Sequence, residues 1–160
     1  MELITIARYS TAAQELLYEF VIDRPQCWSE PIETLSQHRT IRALLAHSLG
    51  AEMRWNARIK GEPQPPRYES TAPSDISQIH KDWRRQRELT TSIIQSADRA
   101  ELDRVLDVTI PMWLYNGKLS VEEILFHIFS HENYHRGQCS MLLQHQAIDP
   151  PNFDYIFVKG

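Results

Sequence analysis

Residues 120–146 constrain this chain more than any other stretch. Ser120 suits a helix N-cap, and Glu123 three residues later completes a capping box. Pro150 and Pro151 forbid continuation at the far end. Ile124, Phe126, Ile128, Phe129, Met141, Leu142 and Leu143 supply a broad apolar face. The spacing predicts one long helix packed into a core. Within it stand His127, His131 and His135, each four residues from the next. Four residues make about 1.1 turns, so all three project from roughly one side. That side is the one the apolar residues turn inward. Several imidazoles in a row on a buried face need partners, and a metal ion is one that serves them all.

Three further helices are predicted. Over residues 3–23, Leu3, Ile6, Tyr9, Ala13, Leu16, Leu17 and Phe20 recur at helical spacing, and Arg24-Pro25 ends the pattern. The next dozen residues read as a connection, with Trp28 covering one end of the core. A second helix is expected over residues 37–60, capped by Ser36, with Gly61 just past its end. Its stripe is Ile41, Leu44, Leu45, Leu49, Met53 and Ile59. Residues 61–73 hold Pro63, Pro65, Pro66 and Pro73 and form a loop. The third helix, residues 75–96 with Ser74 as cap, has the thin stripe Ile76, Ile79, Trp83, Ile93 and Ile94. Its outer face carries Lys81, Arg84, Arg85, Arg87 and Glu88. Residues 98–119 are a connection. Val108, Ile110, Met112 and Leu114 alternate there, and Asn116-Gly117 is a hairpin-turn signal, so a short β-like excursion is expected. The tail, with Phe153, Tyr155, Phe157 and Val158, packs across the helices. Together these patterns give an all-α fold: one four-helix-bundle domain over residues 1–160, with a metal site in its core.

Composition enters as a set of exclusions. A net charge of −4 gives no case for nucleic acid, and Arg84, Arg85 and Arg87 read as a solvated helix face. No apolar run reaches the ~18 residues of a membrane span. The N-terminus lacks a signal peptide's charged start and cleavage site. Cys27 and Cys139 fit a reducing compartment. A cytoplasmic protein is expected.

The three histidines cannot all hold one ion. Eight residues rise about 12 Å along a helix, whereas neighbours four apart differ by about 6 Å. One pair binds, then, and a third ligand comes from another element. His47, mid-helix among apolar residues, is the candidate. The alternative is a set of satisfied core histidines. His38, His80 and His145 read as ordinary surface residues. Gly50 and Gly137, with Ser48, Ala51 and Ser140, would let two helices approach closely enough for metal bonds of ~2.0–2.1 Å. His131-Glu132-Asn133-Tyr134-His135 also matches the H-E-x-x-H pattern of zinc proteases. That reading fails downstream. In the extended motif the glycine falls one place early, Met141 stands where the last histidine belongs, and no Glu follows Glu132. Glu132 is then a solvated residue or one that supports the ligands from behind. Cys139 lies one turn past His135 but about 12 Å from His131, so a small buried cysteine is preferred to a fourth ligand.

Residues 127–138, with His-Arg-Gly-Gln as their most specific piece, resemble the signature of the DinB-like family. The resemblance extends to Tyr9, to Ala46-His47-Ser48, to Asn116-Gly117-Lys118 before Ser120, and to Asp149-Pro150-Pro151 with Asp154-Tyr155. It implies a four-helix bundle with a metal-binding histidine triad. The ligands it implies are His47, His131 and His135, with His127 left in the core or behind the ligands. It further implies a divalent ion, Zn²⁺ or Ni²⁺, and a link to metal-dependent thiol transferases that use low-molecular-weight thiols such as bacillithiol, mycothiol or glutathione. A small-molecule substrate and a homodimer follow from the same resemblance. The alternative is a non-catalytic metal-binding bundle whose ion is structural or sensory, and hydrolysis is a weaker third option.

Overall fold

Helix α1 (Leu3–Ile22) forms where the apolar repeat predicts it, in a computed structural model that describes residues 2–29, 31 and 40–158. Pro25 then opens a short helix, α2 (Pro25–Ser29), in place of a plain connection. Proline is favoured there because a first-turn N–H has no helical partner to lose. Helix α3 (Ile41–Lys60) is capped by Thr40, whose hydroxyl accepts from the Ala43 N–H at 3.0 Å. The expected cap Ser36, and His38, lie outside the described residues. Gly61 closes α3 in the left-handed region, φ 68°, as a glycine C′ residue should.

A single 3₁₀ turn, Tyr68–Ser70, packs on α3. Helix α4 (Ile76–Ser96) starts one residue later than expected, with Asp75 as its cap. Helix α5 (Arg99–Asp103) leads into a hairpin of β1 (Val105–Ile110) and β2 (Tyr115–Ser120), paired antiparallel from Val105↔Ser120 to Ile110↔Tyr115. Asn116-Gly117 is not the turn. It sits inside β2, opposite Thr109 and Val108, because Pro111 ends β1 and Pro111–Trp113 with Leu114 make the reversal. Helix α6 (Val121–His145) carries the predicted capping box, and α7 (Tyr155–Val158) closes the described chain. The tail packs on α1: the Tyr9 hydroxyl donates to the Phe153 carbonyl at 2.7 Å, and Tyr155 meets the Tyr9 ring edge-on.

The fold is mostly helical. Helix α6 packs against α1 and α3, and α4 packs against the same two. No helix among the described residues is long and apolar enough to cross a membrane. The core falls into two apolar clusters. One gathers Leu17, Leu45, Leu49, Trp83 and Leu142, the other Trp55, Ile59, Ile124, Leu125 and Phe129. Between them lies a buried polar layer: Ser10 and Gln14 from α1, Glu52 and Asn56 from α3, Arg87 and Thr90 from α4, Glu132 and Arg136 from α6. Two expectations change here. Arg87 is buried, not solvated, and Glu132 is buried as well. Phe126 and Met141, placed on the inward face by the sequence, are more than half exposed.

The two helical glycines also behave differently from expectation. A Cβ on Gly50 would meet Glu69 Oε2 at 2.8 Å, Tyr68 Cβ at 3.1 Å and the Tyr68 nitrogen at 3.3 Å, so Gly50 admits the 68–70 turn and not α6. A Cβ on Gly137 meets nothing within 4 Å, so no close approach of α3 depends on it. Opposite outcomes are expected on substitution. Gly50→Ala must push a backbone turn aside and should cost about 1–3 kcal/mol. Gly137→Ala, at an exposed helical position, should gain about 0.5–1 kcal/mol. Urea denaturation of the two variants checks this; equal stabilities would show that the turn yields freely.

Candidate metal centre

The structure brings together three of the sequence-predicted histidines. His47 comes from the middle of α3, His131 and His135 from one face of α6, and one ring nitrogen of each lies within 4.8 Å of the other two. His131 Nε2 and His135 Nε2 are 3.1 Å apart. Two ligands at ~2.0–2.1 Å on a tetrahedral ion stand about 3.3 Å apart, so the pair is close to metal-binding geometry without rearrangement. His127 is not in the group. Its ring lies 5.6 Å from that of His131 and meets the Trp55 ring edge-on at 5.0 Å. His80, read from the sequence as a surface residue, is buried, stacked on Tyr18 at 4.6 Å and hydrogen-bonded to Glu15 at 2.9 Å.

A family model described as the DinB superfamily matches residues 13–139. The chain belongs to the DinB superfamily. No curated protein matches it. The matched span contains the three histidines and every residue found to orient them.

Two such orienting residues are present in this DinB chain. His47 Nδ1–H donates to Glu69 Oε1 at 2.7 Å, and His135 Nδ1–H donates to Gln138 Oε1 at 2.6 Å. Gln138 is itself fixed by donating from Nε2 to the Tyr134 hydroxyl at 3.2 Å. Each bond places the proton on Nδ1 and turns Nε2 toward the other histidines, the arrangement in which a histidine could ligate an ion. Gln138 lies within the signature stretch, but Glu69 escapes sequence reading because it sits in a turn 22 residues from His47. Burial pushes the Glu69 carboxyl up, yet the His47 hydrogen bond, its own backbone bond and the Arg54 charge outweigh this and hold it at about 2. Burial, with the neighbouring rings and Arg54, pulls His131 down to about 3. A neutral imidazole is the form that binds a metal. The donor set therefore fits a divalent ion.

The H-E-x-x-H reading is answered by Glu132. Its Oε1 accepts from Trp83 Nε1 at 3.0 Å and Arg87 Nη2 at 2.6 Å, and its Oε2 accepts from the Ser10 hydroxyl at 2.6 Å. A carboxylate so engaged, in the polar layer, is not the general base of a metalloprotease. Cys139 is also elsewhere, 1% exposed within the first apolar cluster, and burial pushes its thiol up to about 12. It is expected that Cys139→Ser leaves metal content unchanged, and that the Co²⁺-substituted protein shows no protein thiolate-to-metal band. A band lost in the serine variant would make Cys139 a ligand.

Access matters for what the centre can do. The side chains of His47 and Glu69 are each 21% exposed, so the group is not fully sealed on this side, although His135 is buried. Two surface grooves, of about 340 and 380 Å³, lie along α3–α4 and α1–α4, and neither is lined by any of the three histidines.

Proposed function

We propose that this DinB chain is a metalloprotein in which His47, His131 and His135 hold a divalent ion, Zn²⁺ or Ni²⁺, and that it is an enzyme of the thiol S-transferase kind acting on a small molecule. The reading includes a single-domain four-helix bundle formed by α1, α3, α4 and α6, a cytoplasmic location and a homodimer. One observation carries it: three imidazoles, two of them oriented by hydrogen bonds, converge on one point, with no fourth His, Cys, Asp or Glu in the group among the described residues. Structural ions are normally closed by four protein ligands, whereas catalytic ones keep a position open. A divalent ion held there supplies Lewis acidity, lowering the pKa of a bound thiol or water toward neutrality. The chain contributes the rest. Glu69 and Gln138 hold two of the rings in one tautomer, and Tyr134, 63% exposed beside His135, forms part of the rim.

Elemental analysis of protein purified without added metal, followed by a thiol-conjugation screen against electrophilic small molecules, tests the reading. One ion per chain and a conjugate formed in proportion to enzyme are expected. Absence of metal sinks the reading at its base. Bound metal without turnover transfers the ion to a structural or sensory role.

A further inference from the structure

The face of α3 that carries His47 continues past the centre. Ala51, Arg54, Trp55 and Arg58 follow at four, seven, eight and eleven residues, on the same side of the helix. Helix α6 runs alongside in the opposite sense, since His47 meets His131 and His135 while Trp55 meets His127. A strip between the two helices thus leads from the histidines to two guanidinium groups.

Those two groups are unlike the other arginines around the core. Arg42 donates to the carbonyls of Ala72 and Pro73, Arg87 to Glu52 and Glu132, Arg104 to Glu101 and the Ile59 carbonyl. Among the described residues, Arg54 has only Glu69, with Nη1 3.7 Å from Oε2, beyond hydrogen-bond reach. Both of those atoms are buried and lack a hydrogen-bond partner. Closing that gap would satisfy one of Arg54's five N–H groups, and Glu69 shares its charge between Arg54, facing Oε2, and His47, bonded to Oε1. Arg58 lies over the Trp55 ring at 4.7 Å, with no carboxylate in ion-pair range among the described residues. Like charges four residues apart repel, and a buried donor without an acceptor costs free energy. The chain maintains both costs at one end of the strip, in a protein whose net charge is −4. Planar guanidinium forks match the paired oxygens of a carboxylate or phosphate.

We propose that Arg54 and Arg58 form an anion subsite beside the three-histidine centre, which takes the carboxylate or phosphate of the small molecule handled there. The link to the centre rests on the function proposed above; the subsite itself rests on α3. It selects an anionic thiol or acceptor and disfavours cationic ones. Trp55 holds the Arg58 plane in place.

Two measurements test this independently. In metal-free protein, the guanidinium Nε–H signals of Arg54 and Arg58 are followed by NMR during titration with succinate and, separately, inorganic phosphate. Saturating shifts at both arginines are expected for at least one anion, weakened at least tenfold in Arg54→Gln and in Arg58→Gln; the tighter anion names the group. Shifts that never saturate, or that survive unchanged in both variants, overturn the subsite. In Co²⁺-loaded protein, the thiolate-to-cobalt band reports binding of 3-mercaptopropionate and of 2-mercaptoethanol. The carboxylate-bearing thiol is expected to bind at least tenfold tighter, a preference lost in Arg54→Gln. Equal affinities in the unmodified protein overturn the link between subsite and centre. A chain that takes up no cobalt defeats the metal reading, and the metal-free titration still decides the subsite.

Discussion

Replacement of His135 by alanine is expected to abolish stoichiometric metal binding, and His47→Ala and His131→Ala should do the same. Each removes one of the three nitrogens that converge within 4.8 Å among the described residues. Two remaining imidazoles leave the ion mostly to solvent. His127→Ala should retain the ion, because that ring packs on Trp55 and stands outside the group. Glu69→Gln forms an intermediate case. The amide can still accept from His47 Nδ1–H but loses the charge that raises ligand basicity, so affinity should fall about 10–100-fold. Competition against a chelator of known affinity measures all five variants. Loss of metal from His127→Ala with retention in His131→Ala would refute the assignment.

How far the sequence discloses this centre depends on whether the signal is local. The pair His131 and His135 is legible because four-residue spacing on a capped helix fixes which rings can meet, and the same spacing excludes His127 from sharing with His135. His47 is legible as a histidine set in an apolar stripe. Glu69 is not, since its turn follows a proline-rich loop without periodicity, and only the packing of residues 68–70 against Gly50 brings it to the ring. The hairpin misleads for a local reason. Asn116-Gly117 is a strong turn signal, but Pro111 cannot donate to a ladder, so the chain reverses earlier.

The polar layer was visible in principle. On α3 the buried stripe runs Leu45, Leu49, Glu52, Asn56, Ile59; on α4 it runs Ile79, Trp83, Arg87, Thr90; on α6 it runs Leu125, Phe129, Glu132, Arg136, Cys139. Each helix interrupts its apolar stripe with polar residues near the middle. Read one helix at a time, Arg87 joins an outer face with Arg84 and Arg85, and Glu132 looks solvated. Compared across helices, the interruptions align at one level and call for one another as partners.

That layer yields the other large effect. Arg87→Met is expected to destabilise the fold by about 3–5 kcal/mol, because it strands buried carboxylates instead of removing a pair. Arg87 Nη2 reaches Glu52 Oε2 at 3.0 Å and Glu132 Oε1 at 2.6 Å, with all three side chains about 95% buried or more. Burial opposes the Arg87 charge, and the two carboxylates hold its pKa well above the usual value. Without it, Arg136, whose Nη1 is 3.8 Å from Glu132 Oε2, remains the only guanidinium in the layer among the described residues. The sign with pH follows from Glu52. Burial already raises its pKa above 4.5, Arg87 opposes the rise, and nearby Glu132 adds to it. Loss of Arg87 raises it further, so the folded state binds more protons than the unfolded one above pH 4.5. Stability contributed by a group raised in this way is present below its unfolded pKa and is lost as pH rises through the folded value. The variant should therefore be closest to the unmodified protein near pH 4.5 and fall behind it steadily toward pH 8, as read from urea midpoints. Arg87→Lys, which keeps the charge but not the fork, should lie between the two. A deficit independent of pH would mean that Arg87 matters for its volume, and that the carboxylates find other partners. Because Glu132 directly follows His131 in α6, the same series should show metal affinity falling in step with the lost ion pairs.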